Sequence, residues 1–392
     1  MTAPPSRVLF ISPQPFFQWR GSPIRVGFNL LALSELGCEI DLLTLPFGED
    51  YPLPGLRIIR VANVCGRENI PIGPSIWKFV FAAKLWIRAR KLIRERPYDV
   101  IHAVEDAGIF AVSLARFSRA RLIFEKHSDP DSYRGGGMRN LIMTLYSRAE
   151  AHAIRHADAV IGTGESLVEQ ARSIVPEKPI YHIFDIPSSL VEPDPKRVRE
   201  LKKSLRRRAG EILITYVGSF AVYQGIELLF DAIPRIVRRE PRARFIIIGG
   251  TPEEIEARKR QLRAAGAEGA VSFPGKVPPD RLPDYLAASD LLLSPRLAGT
   301  NTPLKLLDYL KAGRCILATD NRANRQILCE ESACFVRPDP EAFSVGVCRL
   351  ISDPVGRERL ACRGKELIGT TYNFGEFKRR LRRVYESLPN PG

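Results

Sequence analysis

Ser294-Pro295-Arg296-Leu297-Ala298-Gly299-Thr300-Asn301-Thr302-Pro303-Leu304-Lys305 runs on into Leu306-Leu307-Asp308-Tyr309-Leu310-Lys311-Ala312-Gly313-Arg314-Cys315-Ile316-Leu317-Ala318. The stretch leaves an apolar strand at Asp290–Ser294 and turns through a polar loop. It then starts a helix over Pro303–Ala312, with Pro303 in the first turn, where a missing N–H does no harm. A second apolar strand, Cys315–Ala318, follows. The first N–H groups of the helix, at Leu304 and Lys305, have no intrahelical acceptor. Lys305 adds a positive charge beside them, and the combination cradles a diphosphate. Asp308, one turn on, can accept hydrogen bonds from sugar hydroxyls. A solvated acid on a capped surface helix is the plainer alternative.

The same β-α-β rhythm extends in both directions. Upstream, strands are predicted at Arg7–Ser12, Glu39–Leu45, Asp99–Val104, Arg121–Glu125 and Ala159–Gly162, with a helix over Ile24–Gly37. A Pro- and Ser-rich stretch beginning at Ile186 reads as a linker. Beyond it come strands at Ile212–Val217, Arg244–Ile248, Val271–Phe273 and Ala333–Val336. Helices fit Ile226–Arg239, Glu253–Ala265, Asp280–Ala288 and Arg325–Glu330. Buried apolar strands alternating with helices predict parallel sheets covered on both faces. The expectation is α/β, with two Rossmann-like doubly wound domains facing across a cleft. Residues 1–185 form the first, 186–200 the linker and 201–370 the second, and a helix within 371–392 returns to the first. In such sheets ligands sit beyond the carboxyl ends of the strands.

At 392 residues the chain exceeds what one core usually supports, in keeping with two domains. Hydrophobic content of 45%, charged content of 26% and a mean hydropathy of −0.11 exclude a disordered chain and a multi-span membrane protein. No apolar run reaches the roughly 18 residues that span a bilayer, and no signal peptide is evident. Seven cysteines without C-x-x-C spacing point to a reducing compartment, so a cytoplasmic location is expected.

The net charge is +15. Part of the excess lies in Trp77–Arg96, seven basic residues to one acid, with Trp77, Val80 and Ile87 interleaved among them. Such a helix suits peripheral contact with an anionic membrane surface; an ordinary helix packed on a sheet is the alternative. No nucleic-acid motif accompanies the charge, and no nucleic-acid partner is expected.

Three further loops bear on chemistry. Gly218-Ser219-Phe220, then Tyr223-Gln224-Gly225, follows a strand and precedes a helix, where glycine lets a ligand approach the backbone. Gly21-Ser22-Pro23 lies between the first strand and its helix, although a plain turn reads equally well. His102 and Glu105 stand at one strand end, and His127 just past another. Asp129-Pro130-Asp131 resembles a metal-holding D-x-D but lacks supporting context. His152 and His156 lack a third ligand. Gly135-Gly136-Gly137 reads as a flexible loop or an acceptor-site lid. No metal or other cofactor is expected.

The run Pro303–Asp320, the segments Tyr216–Phe220 and Tyr223–Gly225, and Phe273-Pro274-Gly275-Lys276-Val277 together resemble the donor site of family 4 glycosyltransferases of the GT-B fold, in order and in spacing. The resemblance implies transfer of a sugar from a nucleotide diphosphate donor to a hydroxyl of a glycan, lipid or small-molecule acceptor, with retention and without a metal. It implies that Gly218 lies by the diphosphate, that Lys276 and Val277 meet the nucleobase through their backbone, and that Leu304 and Lys305 bind diphosphate. It gives Asp308 the ribose and places His127 near the reacting sugar, and Gly21 beside the donor phosphates and the acceptor. Glu105, Ser219, Gln224, Arg296, Thr300, Asn301 and Thr302 complete the candidate donor site, with His127, Lys305 and Asp308 as catalytic candidates. The chain departs from the pattern at Ser219, where the family often has Arg, and at Gln224, where it often has Lys. Thr300 and Asp308 stand where the family has paired glutamates, and Lys305 and Arg296 are the candidates to replace the lost charge. A non-catalytic sugar-nucleotide-binding or scaffold protein of the same fold is the alternative.

Overall fold

Short runs of Ile, Leu, Val and Phe become interior strands here because a strand covered on both faces needs no polar alternation. The computed structural model describes residues 7–18, 21–64, 66, 68, 70, 75–130, 136–298 and 303–389. The chain divides into two compact units, Met1–Asp185 with Phe374–Gly392, and Ile186–Asn373.

In the first unit the elements run β1 (Arg7–Ser12), α1 (Gly21–Glu35), β2 (Glu39–Thr44), β3 (Leu56–Arg60), α2 (Ile76–Glu95), β4 (Val100–Val104), α3 (Ala107–Ser118), β5 (Arg121–Lys126), α4 (Gly137–His156), β6 (Ala159–Gly162), α5 (Glu165–Ile174) and β7 (Ile180–His182). The strands form one parallel sheet in the order β3-β2-β1-β4-β5-β6-β7. Leu9, Ile101, Leu122, Phe124 and Val160 meet Phe81, Leu85 and Leu92 of α2 in its core.

The second unit continues with α6 (Pro195–Leu205), β8 (Ile212–Val217), α7 (Ile226–Arg239), β9 (Ala243–Ile248), α8 (Pro252–Ala264), β10 (Val271–Gly275), α9 (Leu282–Ala288), β11 (Leu291–Ser294), α10 (Leu304–Lys311), β12 (Cys315–Thr319), α11 (Arg322–Arg325), β13 (Cys334–Val336), α12 (Pro340–Ser352) and α13 (Pro354–Thr370). Its parallel sheet has the order β10-β9-β8-β11-β12-β13.

Several boundaries differ from expectation. Residues 186–200 belong to the second unit rather than forming a free linker, and α6 starts within them. Asp194 caps α6, accepting from the Lys196 and Arg197 N–H groups, and its own N–H goes to the buried Asp284. The short helix expected at Arg325–Glu330 lies at Arg322–Arg325 because the Asn321 side chain caps it. Strands β3 and β7 were not foreseen: one carries an arginine at its second and last positions, and the other is three residues long.

The last helix, α14 (Phe374–Glu386), belongs to the first unit. Phe377 packs 6.3 Å from the Phe28 ring, Arg25 stacks 5.3 Å over Phe377, and Lys378 pairs with Glu35 of α1.

Candidate functional site

Both sheets reverse strand order at one place, and loops leaving adjacent strands in opposite directions open a crevice there. In the second unit the reversal falls between β8 and β11. The loop after β8 carries Gly218, Ser219 and Gln224; the loop after β11 carries Arg296 and leads to α10. The two loops are stitched together where Leu297 N–H donates to Tyr223 O at 2.9 Å. Gly225 permits this: its φ is +73°, and a Cβ there would lie 1.7 Å from Pro295 O.

Lys305 Nζ reaches into this crevice. It donates to Gln224 Oε1 at 2.9 Å and sits 4.6 Å from the centre of the Tyr216 ring. A Cβ on Gly218 would come within 3.6 Å of it. Burial, with the nearby Arg296 adding repulsion, pulls the Lys305 ammonium down to about 7. Arg296 is 6% exposed, donates from Nε to Ala298 O at 2.8 Å and lies 5.6 Å over the Tyr223 ring. The cluster thus gathers two cations beside the start of a helix, an arrangement matched to an anion.

The remaining predicted residues of this unit divide. Ser219 is exposed and its carbonyl accepts from Tyr216 Oη at 2.8 Å. Gln224 orients Lys305 instead of supplying charge. Leu304 is half-buried at the first position of α10. Lys276 is exposed just beyond β10, while Val277 packs its side chain on Leu213, Ile246 and Ile248. Asp308 does not join Lys305: its carboxyl accepts from Ser188 N–H at 2.7 Å and from Ser188 Oγ at 2.8 Å, and burial lifts it to about 6. Thr300, Asn301 and Thr302, like Gly299, Asp131, Gly135 and Cys65, lie outside the described residues.

In the first unit the reversal falls between β1 and β4. Gly21 opens α1 with no atom within 4 Å of where a Cβ would stand. Glu105, after β4, has a φ of +52°, rare for a residue with a side chain. Its carboxylate accepts from the His127 N–H and, at 2.8 Å, from Ser128 Oγ, so it braces the turn after β5. The His127 side chain is 6% exposed; its Nε2 lies 3.1 Å from Glu125 Oε1, out of line for a hydrogen bond.

Glu125 is the hub of a buried network that the sequence did not reveal. It takes Arg25 Nε, Asn29 Nδ2 at 2.7 Å and His102 Nε2 at 2.9 Å, and Arg25 also holds Asp185 at 2.9 Å. Burial pushes the Glu125 carboxyl up, yet Arg25 and His127 outweigh it and hold the group well below the usual carboxylate range. Burial lowers His102, so its Nε2–H faces Glu125 and its Nδ1 accepts from Tyr385 Oη of α14 at 2.8 Å. His102 is therefore structural.

The sequence matches the family description "Glycosyl transferase 4-like domain" over residues 25–183 and "Glycosyl transferases group 1" over residues 211–353. The chain belongs to the family 4 glycosyltransferases of the GT-B fold. Phosphatidyl-myo-inositol mannosyltransferase of Mycobacterium tuberculosis is 25% identical over 176 residues, 43% of this chain and 45% of the relative. The aligned part thus spans less than half the length of that curated relative. Among solved structures, sucrose-phosphate synthase of Thermosynechococcus elongatus shares the fold with a TM-score of 0.78 at 19% identity, covering 98% of this chain and 99% of its own. The Anabaena protein HepE, in complex with UDP and glucose, does so at 0.72 and 14%, covering 98% and 100%.

In this family member the β12 loop adds residues that sequence reasoning missed. Thr319 Oγ1 and Asn321 Nδ2 both donate to the Arg296 carbonyl and so fix the Arg296 backbone. The segment Thr319-Asp320-Asn321, at the end of a strand, was the available signal.

The basic helix α2 also differs in detail from expectation. Trp77 and Trp86 pack against the core, while Ile76, Phe79 and Ile87 are the exposed apolar residues. Leu141 and Leu145 of α4 are exposed too. Asp106 lies between the helices, accepting from Tyr146 of α4 at 2.7 Å and facing Lys78 of α2 at 3.7 Å. No helix among the described residues is long and apolar enough to cross a membrane, and no cluster of His, Cys, Asp and Glu among them could hold a metal ion.

Proposed function

We propose that the protein transfers a glycosyl group from a nucleotide diphosphate sugar to a hydroxyl of a lipid-borne or glycan acceptor. The observation that carries this reading is Lys305, held by Gln224 at the switch point of the second sheet beside the start of α10. When the bond from the anomeric carbon to the β-phosphate oxygen breaks, charge develops on the departing nucleoside diphosphate. Fixed N–H dipoles, Lys305 and Arg296 stand ready to meet it without reorganising. The acceptor oxygen bonds to the anomeric carbon, and its proton passes to a β-phosphate oxygen. These two side-chain cations supply the charge that a metal would otherwise provide, which supports a metal-independent reaction. Retention of configuration rests on the family resemblance.

The UDP and glucose held by the Anabaena structure support a nucleotide donor for this chain, and the name of the mycobacterial relative supports a lipid acceptor. Ile76 and Phe79, exposed on either side of Lys78 in α2, and Leu141 and Leu145, exposed on α4, support an anionic membrane surface as the place where that lipid is met. The six described cysteines are free, in keeping with a cytoplasmic location.

Calorimetric titration with UDP-, GDP- and ADP-sugars, followed by transfer of labelled sugar to lipid extracts, tests the proposal. Absence of nucleotide binding overturns it. Binding without transfer to any lipid or glycan acceptor makes the protein a binding module instead. Phosphatidylglycerol vesicles should retain the wild type and release a Phe79→Glu/Leu145→Glu double variant.

A further inference from the structure

We propose that Thr319, Asn321 and Asn324 are positioning residues: as a buried clamp they fix the peptide between Arg296 and Leu297, and through that one peptide they place the charges of both Arg296 and Lys305. The inference rests on the donor site proposed above.

The loop after β11 leaves the sheet and must still present Arg296 at a set place. Its support is polar: Ser294, Thr319 and Asn324 are fully buried. The Asn321 side chain caps α11, accepting the Asn324 N–H at 2.9 Å. Both amides then donate to the Thr319 hydroxyl, Asn321 Nδ2 at 3.0 Å and Asn324 Nδ2 at 3.1 Å. Asn324 Nδ2 also donates to Thr319 O at 2.8 Å, and its Oδ1 accepts from Ser294 Oγ at 3.0 Å. A hydroxyl offers two acceptor sites and one proton. With both acceptor sites filled, the Thr319 proton is steered onto the Arg296 carbonyl, with Ser294 O a longer alternative at 3.4 Å. Asn321 Nδ2 donates to the same Arg296 carbonyl, so both of its lone pairs are engaged.

A trans peptide is planar, so aiming its C=O aims its N–H the opposite way. The N–H of this peptide, on Leu297, donates to Tyr223 O at 2.9 Å. The next residue, Gln224, takes Lys305 Nζ at 2.9 Å, and the Arg296 guanidinium lies 5.6 Å over the Tyr223 ring. One peptide thus joins the end of β12, the loop after β11 and the loop after β8, and both cations depend on it. A buried network with every member satisfied specifies one geometry, because tilting this peptide breaks two buried hydrogen bonds at once. The two charges are thereby held in place before a diphosphate arrives, and binding need not order them.

The full-length protein is titrated with UDP, GDP and ADP, well below its melting temperature. Thr319→Val keeps the shape of the side chain and removes its hydroxyl. Asn321→Ser keeps a cap for α11 and removes the amide donor. Each is expected to weaken whichever nucleotide the wild type binds by about three- to tenfold. Thr319→Ser, which keeps the hydroxyl, should bind as the wild type does. Without nucleotide, the Leu297 amide should exchange its hydrogen about three- to tenfold faster in Thr319→Val and Asn321→Ser, and at the wild-type rate in Thr319→Ser. Asn321→Ser carries the test if Thr319→Val fails to fold. A role in stability alone gives a different pattern, lower melting temperatures with unchanged affinity. That pattern, or weakened affinity with the Leu297 amide exchanging as in the wild type, overturns the inference and leaves the donor site standing. A wild type that binds none of the three nucleotides overturns the donor site and this inference with it.

Discussion

Raising the pH from 7 to 8.5 should weaken binding of a nucleotide diphosphate sugar about fifteenfold, and Lys305→Ala should remove that dependence. Burial brings Lys305 in the empty site to about 7. Roughly half the molecules carry the ammonium at pH 7 and about 3% at pH 8.5. A diphosphate selects the charged form, so its affinity follows that fraction until the raised value of the complex is reached. The sugar nucleotide is the right ligand, because its phosphates are esterified on both sides. The terminal phosphate of UDP titrates near 6 and would confuse the profile. Starting at pH 7 also stays above Asp308, which sits at about 6. Lys305→Ala should lower affinity at pH 7 by about 10- to 150-fold, the equivalent of roughly 1.5–3 kcal/mol for a charge-assisted hydrogen bond. Lys305→Arg should bind with a flat profile over the same range. The unfolded chain holds this proton more tightly than the empty native state. Stability should therefore rise as pH climbs from about 7 towards the ordinary lysine value of 10.5, and a bound donor should cancel the rise. Titration calorimetry across the pH series is the assay. A flat wild-type profile, or the same slope in Lys305→Ala, refutes the reasoning.

Other substitutions probe the supports of the site. Gly225→Ala places a methyl against Pro295 O at a left-handed φ and should lower the melting temperature and abolish nucleotide binding, read together in a thermal-shift titration. Glu105→Gly should be more stable than Glu105→Ala by about 1 kcal/mol in urea melts, because both lose the hydrogen bonds to His127 and Ser128 but only glycine escapes the left-handed strain. Tyr385→Phe strips His102 Nδ1 of its donor and should cost about 1–3 kcal/mol by the same measurement.

The fold could be read from the sequence because most of its strands are buried on both faces and several helices stop just before a glycine or proline, as at Gly37, Pro97, Gly266 and Gly313. Long apolar runs such as Ile212–Val217 and Ala243–Ile248 carry that signal. Strand β3 escaped because it reads Leu-Arg-Ile-Ile-Arg at a sheet edge, where solvent admits charge. At the site, Gly218 and Lys305 could be placed because each occupies a fixed offset from a strand end. Partnerships could not. Nothing in the spacing of Asp308 reveals that Ser188, 120 positions earlier, takes both of its oxygens. Nor does the sequence couple Glu125 to Arg25, 100 positions away. A lone polar residue announces chemistry, but only the folded chain decides whether that chemistry faces a ligand or a neighbour.

The return of α14 to the first unit has a consequence for how the protein is made. Phe374–Glu386 leaves the ribosome after all of Ile186–Asn373, yet Tyr385 completes the hydrogen bonding of His102, and Phe377 covers Arg25. During synthesis the first unit therefore waits, with a buried ionic hub unsealed, while the whole of Ile186–Asn373 emerges. The second unit, contiguous in the chain, has every partner it needs before that wait ends. Such an order favours a nascent chain whose second unit matures first, with α14 then sealing the first.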